Sequence, residues 1–181
     1  VTVLLILANI LVFTAVEFTG GSEDTMHMLQ CGAAYTPAIM QGEYYRIFTS
    51  MFLHFGPQHL GNNMLVLFVL GGKLKYLLIY LLGGMGGNLL CLFLELDSAD
   101  FAVSAGASGA VFAVMGAMIY AVIRGRGHIE DLSARQVVIM AAFSLYFGFT
   151  SEGVDNAAHV GGLICGFLLA VLLYHPSQRA G

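Results

Sequence analysis

Apolar runs long enough to cross a lipid bilayer recur along this 181-residue chain and constrain its fold more than any other feature. A helix needs roughly 17–25 apolar residues to span the hydrocarbon core. Only 10% of the residues are charged, against about 25% in ordinary soluble domains. Since an unpaired backbone group in lipid costs several kcal/mol, spans this apolar should be helices. The sequence therefore predicts an all-α, polytopic integral membrane protein.

Six helical spans are predicted within a single membrane domain that covers residues 1–181. Their ranges are 1–18, 59–71, 74–94, 107–123, 136–149 and 157–174. The second and fifth are short for a full crossing, which implies local thinning of the bilayer or burial of their ends in protein. Residues 19–58, called the first loop below, are too long and too mixed in composition for a plain linker. Short interfacial helices are expected there at 25–29 and 46–52.

The basic residues predict how these spans are oriented. Connections on one side of a six-span topology hold Lys73, Lys75, Arg124, Arg126, Arg135 and Arg179. Arg46 is the only basic residue on the other side, where most of the acidic residues lie. By the positive-inside rule, both termini are cytoplasmic and the first loop faces outward. The short loops and basic flanks favour a bacterial or archaeal inner (plasma) membrane, and an organelle membrane stays open as the alternative.

Two places in the chain suggest that a longer sequence has been shortened. The chain begins at Val1 inside an apolar run, which is typical of a trimmed core rather than of a signal peptide. Gly72 runs directly into Lys73 and the next span, although antiparallel helices normally need a connection of a few residues. We therefore expect that a cytoplasmic loop is missing between Gly72 and Lys73.

The sequence gives no indication of a metal, a cofactor or a nucleic-acid partner. The net charge of −4 comes with no basic stripe for nucleic acid. The cysteines lie in three different segments without metal-like spacing, so Cys91 and Cys165 are predicted to be packing residues and Cys31 an incidental loop thiol. The expected partners are the bilayer itself and other membrane proteins, and the oligomeric state stays open.

The first candidate site is Gly106-Ala107-Ser108-Gly109, at the start of the fourth predicted span. A serine at a helix N-terminus lies among free backbone N–H groups at the positive end of the helix dipole, where a developing oxyanion would be stabilised. The flanking glycines allow a substrate backbone to approach closely. Taken alone, the motif is more often an ordinary helix cap with small residues for helix packing.

The second candidate site opens the sixth predicted span with Ala158-His159. His159, Gly162 and Gly166 lie on one helix face, and a matching stripe of small residues on the fourth span begins at Gly109. Docking the two stripes would bring His159 beside Ser108, and a serine needs such a neighbouring base to become nucleophilic. Alone, His159 would more often be an interhelical hydrogen-bond donor.

The third candidate site is His54 followed by His59 and Asn63. His59 and Asn63 are four residues apart, so they stack on one face of the second span and both can donate hydrogen bonds to an oxyanion. Polar contacts between helices are the ordinary explanation of such residues. A zinc site at His54, His59 and His159 is a weaker alternative, because no HExxH motif or carboxylate ligand accompanies them.

Together these motifs resemble the rhomboid family of intramembrane serine proteases over nearly the whole chain. GASG at 106–109 matches the family's GxSG, residues 158–166 match its AHxxGxxxG, and residues 59–63 match its HxxxN. His54 falls at the preceding family histidine, and Tyr45-Arg46 where the family often has Trp-Arg. The order and spacing of all these motifs agree with the family.

The resemblance implies a six-helix bundle that cleaves transmembrane helices of other membrane proteins in a cavity open to the outside. Ser108 would be the nucleophile and His159 the base, and His59, Asn63 and the Ser108 backbone N–H would hold the oxyanion. The remaining residues that match family positions would support the site: Gly106, Gly109, His54, Phe112, Gly162, Gly166 and Arg46. The fifth span, with the loop before the sixth, would be the gate for substrate.

Two departures and two alternatives accompany this interpretation. Phe112 stands where the family often has a tyrosine that stacks on the base, and Tyr45 stands where it often has tryptophan. The first alternative is a rhomboid-like pseudoprotease that binds membrane helices; such relatives lack the serine or the histidine, whereas this chain keeps both. The second is a transporter with a His/Asn relay, which predicts broken helices at the midplane and an internal repeat.

Overall fold

The computed structural model describes residues 1–70, 74–98, 100–124, 128–129, 132–150 and 155–173. Its α-helices are, in chain order, α1 (Thr2–Thr19), α2 (Thr25–Gln30), α3 (Thr36–Met40), α4 (Arg46–Thr49), α5 (Gly56–Leu70), α6 (Leu74–Glu95), α7 (Ser108–Arg124), α8 (Ala134–Thr150) and α9 (Asn156–Leu173). A 3-10 turn at Ser50–Phe52 follows α4. A pair of two-residue antiparallel strands, β1 (His128–Ile129) and β2 (Leu132–Ser133), precedes α8.

Three helices in the described part of the chain are long and apolar enough to cross a membrane by length and composition. They are α1, the stretch Lys75–Glu95 of α6, and α9. Two shorter apolar helices are α7 and the stretch Arg135–Tyr146 of α8. Helices lie at all six ranges for which spans were predicted, but the number of membrane crossings stays a prediction.

Several predictions fall outside the described residues. The junction between Gly72 and Lys73 is one of them, as is the connection before α9 that would form part of the gate. The basic residues Arg126 and Arg179 also lie outside. Lys75 is described, and its ammonium group donates to the carbonyl of Leu173 at 2.8 Å, so the start of α6 is tied to the end of α9.

The first loop contains more structure than its composition indicated. Helices occur where short interfacial ones were expected, as α2 and as α4 with its 3-10 extension. The helix α3 was not predicted; Pro37 lies in its first turn, where a missing N–H costs nothing. The end of α1 packs on this loop through a small core of Val16, Met28, Ala33 and Leu53.

The central helix of the fold is α7. Every residue from Gly109 to Ala117 is buried, and α7 contacts α5, α6, α8 and α9. The surrounding helices instead expose large apolar side chains, such as Leu4 and Leu11 of α1 and Leu172 of α9, each about 70% exposed. Such a ring of exposed apolar side chains fits contact with lipid.

Glycines bring α6, α7 and α9 into backbone contact. A Cβ atom at Gly162 would overlap the carbonyl oxygen of Gly109, and one at Gly166 would overlap that of Ala113. On α6, a Cβ atom at Gly83 would overlap the side chain of Ala113, while one at Gly87 would lie 2.5 Å from the carbonyl oxygen of Ala158. Small residues are how membrane helices pack without a hydrophobic driving force.

We predict that Gly116→Ala destabilises the protein by about 1–3 kcal/mol, the usual cost of an overpacked contact. The added methyl group would overlap the carbonyl oxygen of Leu163, which belongs to a backbone and cannot rotate away. The measurement is the thermal unfolding midpoint of detergent-purified protein, which should fall by several degrees.

The matched control is Gly61→Ala on α5. Nothing lies within 4 Å of a Cβ atom at Gly61, and alanine favours a helix more than glycine by roughly 1 kcal/mol. Its midpoint should be unchanged or slightly higher. Equal midpoints for the two alanine variants would show that backbone contact between α7 and α9 does not stabilise the protein.

Candidate active site

Ser108 is the first residue of α7 and is half-buried. Gly106, two residues earlier, has φ +147°, a conformation that side chains rarely adopt, and its N–H donates to the carbonyl of Ser50 at 2.9 Å. A Cβ atom at Gly106 would lie 2.8 Å from the His59 ring and 3.6 Å from Ser108 Oγ. The His59 ring and the Ser108 hydroxyl therefore lie on the same side of the Gly106 backbone, close to where a Cβ atom would be.

His54 holds the peptide just before Ser108. Its Nε2 accepts the backbone N–H of Ala107 at 3.3 Å, so the ring proton lies on Nδ1. His54 is buried between the 3-10 turn and α5, and burial, with the neighbouring His59, lowers the pKa of His54 to about 3. The two rings meet edge to face, with centroids 5.1 Å apart. His54 is thus a neutral acceptor at neutral pH.

His159 lies in the first turn of α9, buried to 6% exposure. The ring of Phe112, one turn after Ser108, stacks on it with centroids 4.4 Å apart and planes 19° from parallel. A Cβ atom at Gly109 would lie 3.3 Å from the carbonyl oxygen of Ala158. Since Gly109 follows Ser108 and Ala158 precedes His159, the structure brings the starts of α7 and α9 together at one level.

Asn63 lies one turn after His59 on α5 and is also buried, at 7% exposure. Two buried side-chain nitrogens of this region, Asn63 Nδ2 and His159 Nδ1, have no hydrogen-bond partner among the described residues. Leaving a buried polar group without a partner costs about 1–3 kcal/mol. Native structures keep few such groups, and these two lie on α5 and α9, both of which contact α7.

The first loop fixes the segment that leads into Ser108. Ala34 and Ser104 exchange two backbone hydrogen bonds of 2.8 and 2.9 Å, ahead of the contacts made at Gly106 and Ala107. Asn88 of α6 anchors the loop in turn, because its side-chain amide donates to the carbonyl of Ile47 at 2.8 Å and to Ser50 Oγ at 3.0 Å. The first loop is therefore a scaffold for the segment that leads into Ser108 rather than a simple connection between helices.

Arg46 holds the first loop together from inside. It is 8% exposed, and its NH1 group donates to the carbonyls of Leu29 at 2.7 Å and Ala33 at 2.8 Å. Its remaining nitrogens contact one carboxylate oxygen of Glu43 at 2.6 Å. Arg46 therefore acts on the loop and not directly on the cluster around Ser108.

Sequence reasoning singled out Ser108, His159, His59 and the glycines, but it missed Asn88, Ser50, Ser104 and Asp155. The signal for Asn88 was present, since a polar side chain within an apolar span is a functional candidate. The other three lie in loops or at a helix start, where polar residues are ordinary. Within the described residues, no three His, Cys, Asp or Glu side chains are grouped so as to hold a metal ion.

Known proteins with similar sequences share one family. The family model of the Rhomboid domain matches residues 41–176. The rhomboid protease GluP of Bacillus subtilis (strain 168) is 35% identical over 190 aligned positions, covering 99% of this chain and 36% of GluP. The rhomboid protease AarA of Providencia stuartii is 32% identical, covering 94% of this chain and 71% of AarA.

A further relative is the putative rhomboid protease YdcA of Bacillus subtilis (strain 168). It is 30% identical over 152 aligned positions, covering 80% of this chain and 75% of YdcA. The chain spans only about a third to a half of the length of several curated relatives that it matches, GluP among them.

We predict that Arg46→Ala destabilises the first loop by about 2–4 kcal/mol, because two buried carbonyls lose a charged donor. Arg46→Lys should recover little of this loss, since an ammonium group does not reproduce the planar fork that reaches two carbonyls and a carboxylate at once. The measurement is thermal unfolding together with the rate of limited proteolysis within residues 19–58.

Glu43→Gln is the control, because it keeps the contacts of Arg46 with the two carbonyls. A hydrogen bond from Tyr45 and the contact with Arg46 lower the pKa of Glu43. The stability that this carboxylate contributes is therefore present above its usual pKa and is lost as the pH falls through the lowered value. The small difference between wild type and Glu43→Gln should disappear in acid. An Arg46→Ala loop as resistant to proteolysis as the wild type would contradict this role.

Proposed function

This chain belongs to the rhomboid family, and we propose that it is a serine endopeptidase of the membrane that uses Ser108 as nucleophile and His159 as base. At family level the chain is a rhomboid protease homologue, with the hydrolase chemistry of intramembrane proteolysis. Two observations support the finer proposal: Ser108 and His59 border Gly106, and Phe112, one turn after Ser108, stacks on His159.

The proposed reaction needs only these side chains and water. Ser108 Oγ attacks the carbonyl carbon of the scissile peptide while His159 takes its proton, and the carbonyl electron pair moves to the oxygen. Collapse of this intermediate breaks the C–N bond, and His159 passes the proton to the leaving amine. Water then attacks the acyl-serine ester with the same assistance, which releases the acid and restores both groups.

Packing supports His159 in the role of base. Stacking on Phe112 fixes the plane of the imidazole, and such aromatic contacts contribute about 0.5–1.5 kcal/mol. A tyrosine at position 112 would stack equally well. The phenylalanine therefore lacks the hydroxyl group of the usual family residue but holds the His159 imidazole in the same orientation. The backbone N–H of His159 donates to the carbonyl of Asp155 at 3.2 Å, which makes the base part of the first turn of α9.

Donors around Gly106 support an oxyanion hole. His59 borders the same point as Ser108 Oγ, and Asn63 carries a buried amide nitrogen without a partner among the described residues. The backbone N–H of Ser108, at the start of α7, adds the positive end of a helix dipole. Fixed donors of this kind stabilise the charge that develops in the transition state more strongly than water does.

Membrane-spanning helices of other proteins are the proposed substrates, reached from the bilayer through a bundle of six spanning helices. The apolar exposed surface supports burial in lipid, and the distribution of basic residues supports cytoplasmic termini with an active site open to the outside. The helix α8 packs far less extensively on α9 than α7 does, which supports α8 as the movable element of a gate.

Labelling with a fluorescent fluorophosphonate tests the nucleophile and the base. Wild-type protein purified in detergent should be labelled, because the reagent phosphonylates only an activated serine. Ser108→Ala should not be labelled. His159→Ala should be labelled about 10²–10⁴ times more slowly, the usual contribution of a general base.

Ser98→Ala is the control, since Ser98 lies in the segment after α6 and, among the described residues, its hydroxyl bonds only to Asp100. It should be labelled at the wild-type rate. A folded wild type that resists labelling would overturn the proposal and favour a protein that binds membrane helices without cutting them.

Asn63→Ala should slow labelling by about 10²–10³, the usual cost of losing one oxyanion donor. The phosphonyl adduct places an oxygen where the oxyanion would lie, so the second-order labelling rate reports this loss. Asn62→Ala is the matched control, because the neighbouring Asn62 is exposed on the same helix. Equal rates for the two variants would remove Asn63 from the oxyanion hole.

A further inference from the structure

Asp155 joins two elements that carry the proposed chemistry. Its Oδ1 accepts the backbone N–H of Ala158 at 2.8 Å, a capping bond at the start of α9. Its Oδ2 accepts the hydroxyl of Ser104 at 2.8 Å. Its backbone carbonyl accepts the N–H of His159 at 3.2 Å. One residue therefore contacts both the turn that bears His159 and the segment that precedes Ser108.

Ser104 is held from two sides and not only by Asp155. Its backbone exchanges two hydrogen bonds with Ala34 of the first loop, so its position is fixed relative to that scaffold. Four residues later the same segment reaches Ser108. Because only three residues separate Ser104 from Ser108, a displacement of Ser104 would be passed on to Ser108.

We propose that Asp155 is a positioning residue which, through Ser104, sets the distance between the start of α9 and the segment leading to Ser108. The inference rests on the proposed function, because it takes Ser108 as the nucleophile and His159 as the base. The distance between them then affects the rate of the reaction. The geometry needed for reaction is narrow, and a misplacement of about 1 Å can cost roughly 100-fold in rate.

The surroundings of Asp155 indicate that it links α9 to the segment before Ser108 and is not simply an exposed polar residue. Asp155 and Ser104 line a small cavity together with Asn88, Cys91 and Glu95 of α6. The second carboxylate of this cavity is engaged elsewhere, since Glu95 accepts the hydroxyl of Thr36 at 2.5 Å. The carboxylate of Asp155 thus accepts from Ser104 and that of Glu95 from Thr36 of the first loop, while the thiol of Cys91 lies within hydrogen-bonding reach of both carboxylates.

A simple helix cap is the competing explanation, and Ser104→Ala separates the two. This variant leaves the bond from Asp155 to Ala158 intact and removes only the link to Ser104. We expect the maximal rate of fluorophosphonate modification, kinact, to fall about tenfold, while the half-saturating reagent concentration stays within about twofold. The thermal unfolding midpoint should stay within about two degrees of the wild type. A cap alone predicts no change in kinact for Ser104→Ala.

Variants at position 155 complete the test. Asp155→Asn keeps an acceptor for Ala158 and offers an amide to Ser104, so it should retain kinact to within about threefold. Asp155→Ala should lose at least as much as Ser104→Ala. The double variant Ser104→Ala/Asp155→Ala should lose no more than Asp155→Ala, because the two residues act as a unit.

The controls match each lost bond. Ser98→Ala removes a serine hydrogen bond in the same connection without touching α9, and Asp24→Ala removes the cap of α2, where Asp24 accepts the N–H of His27 at 2.7 Å. Both should keep the wild-type kinact. A wild-type kinact in Ser104→Ala, with Ser108→Ala unlabelled, would overturn the positioning role and leave the protease standing. An unlabelled wild type would overturn both.

Discussion

Backbone contact between three helices is the constraint on which the rest of this structure depends. Without a hydrophobic driving force in lipid, α6, α7 and α9 dock on one another through close van der Waals contact, and the glycines at 87, 116, 162 and 166 permit it. Because the contact between α7 and α9 continues to the starts of both helices, it also sets how Ser108 lies relative to His159. The contact between α7 and α9 therefore determines both the packing of the helices and the geometry of the proposed catalytic site.

The first loop solves a second problem, which is to hold irregular backbone firmly beside the membrane helices. Residues 104–107 have no helix to bond to, and they find partners instead at Ala34, Ser50 and His54. Arg46 and Asn88 tie that loop to itself and to α6. Unsatisfied backbone groups would cost several kcal/mol in lipid, so a structured loop is what makes the half-buried, irregular backbone at Gly106 tolerable there.

Much of this fold follows from apolar run length alone, because a helix is the only structure that satisfies the backbone of such runs. The helix positions were therefore predictable from sequence, whereas α3 was not, since its five residues carry only a weak local signal from Pro37. Ser108 and His159 were recognisable because their small neighbours follow a helical period. Ser104 and Asp155 were not recognisable, because they matter through a hydrogen bond between residues 51 positions apart. No local sequence pattern predicts such a contact.

The polar groups of the candidate site also show why three separate elements must supply it. The first turn of a helix leaves N–H groups without a partner inside the helix, and Ser108 begins such a turn, whereas the N–H groups of Ala158 and His159 in α9 are bonded to Asp155. The N–H groups of α7 and the imidazole of His159 reach one place only if the starts of both helices meet at the same depth. In the proposed arrangement, the hydrogen bond between Asp155 and Ser104 fixes this depth. Under the proposed mechanism, Asn63 Nδ2, which is buried without a partner among the described residues, is a donor held ready for an anion that forms only during reaction.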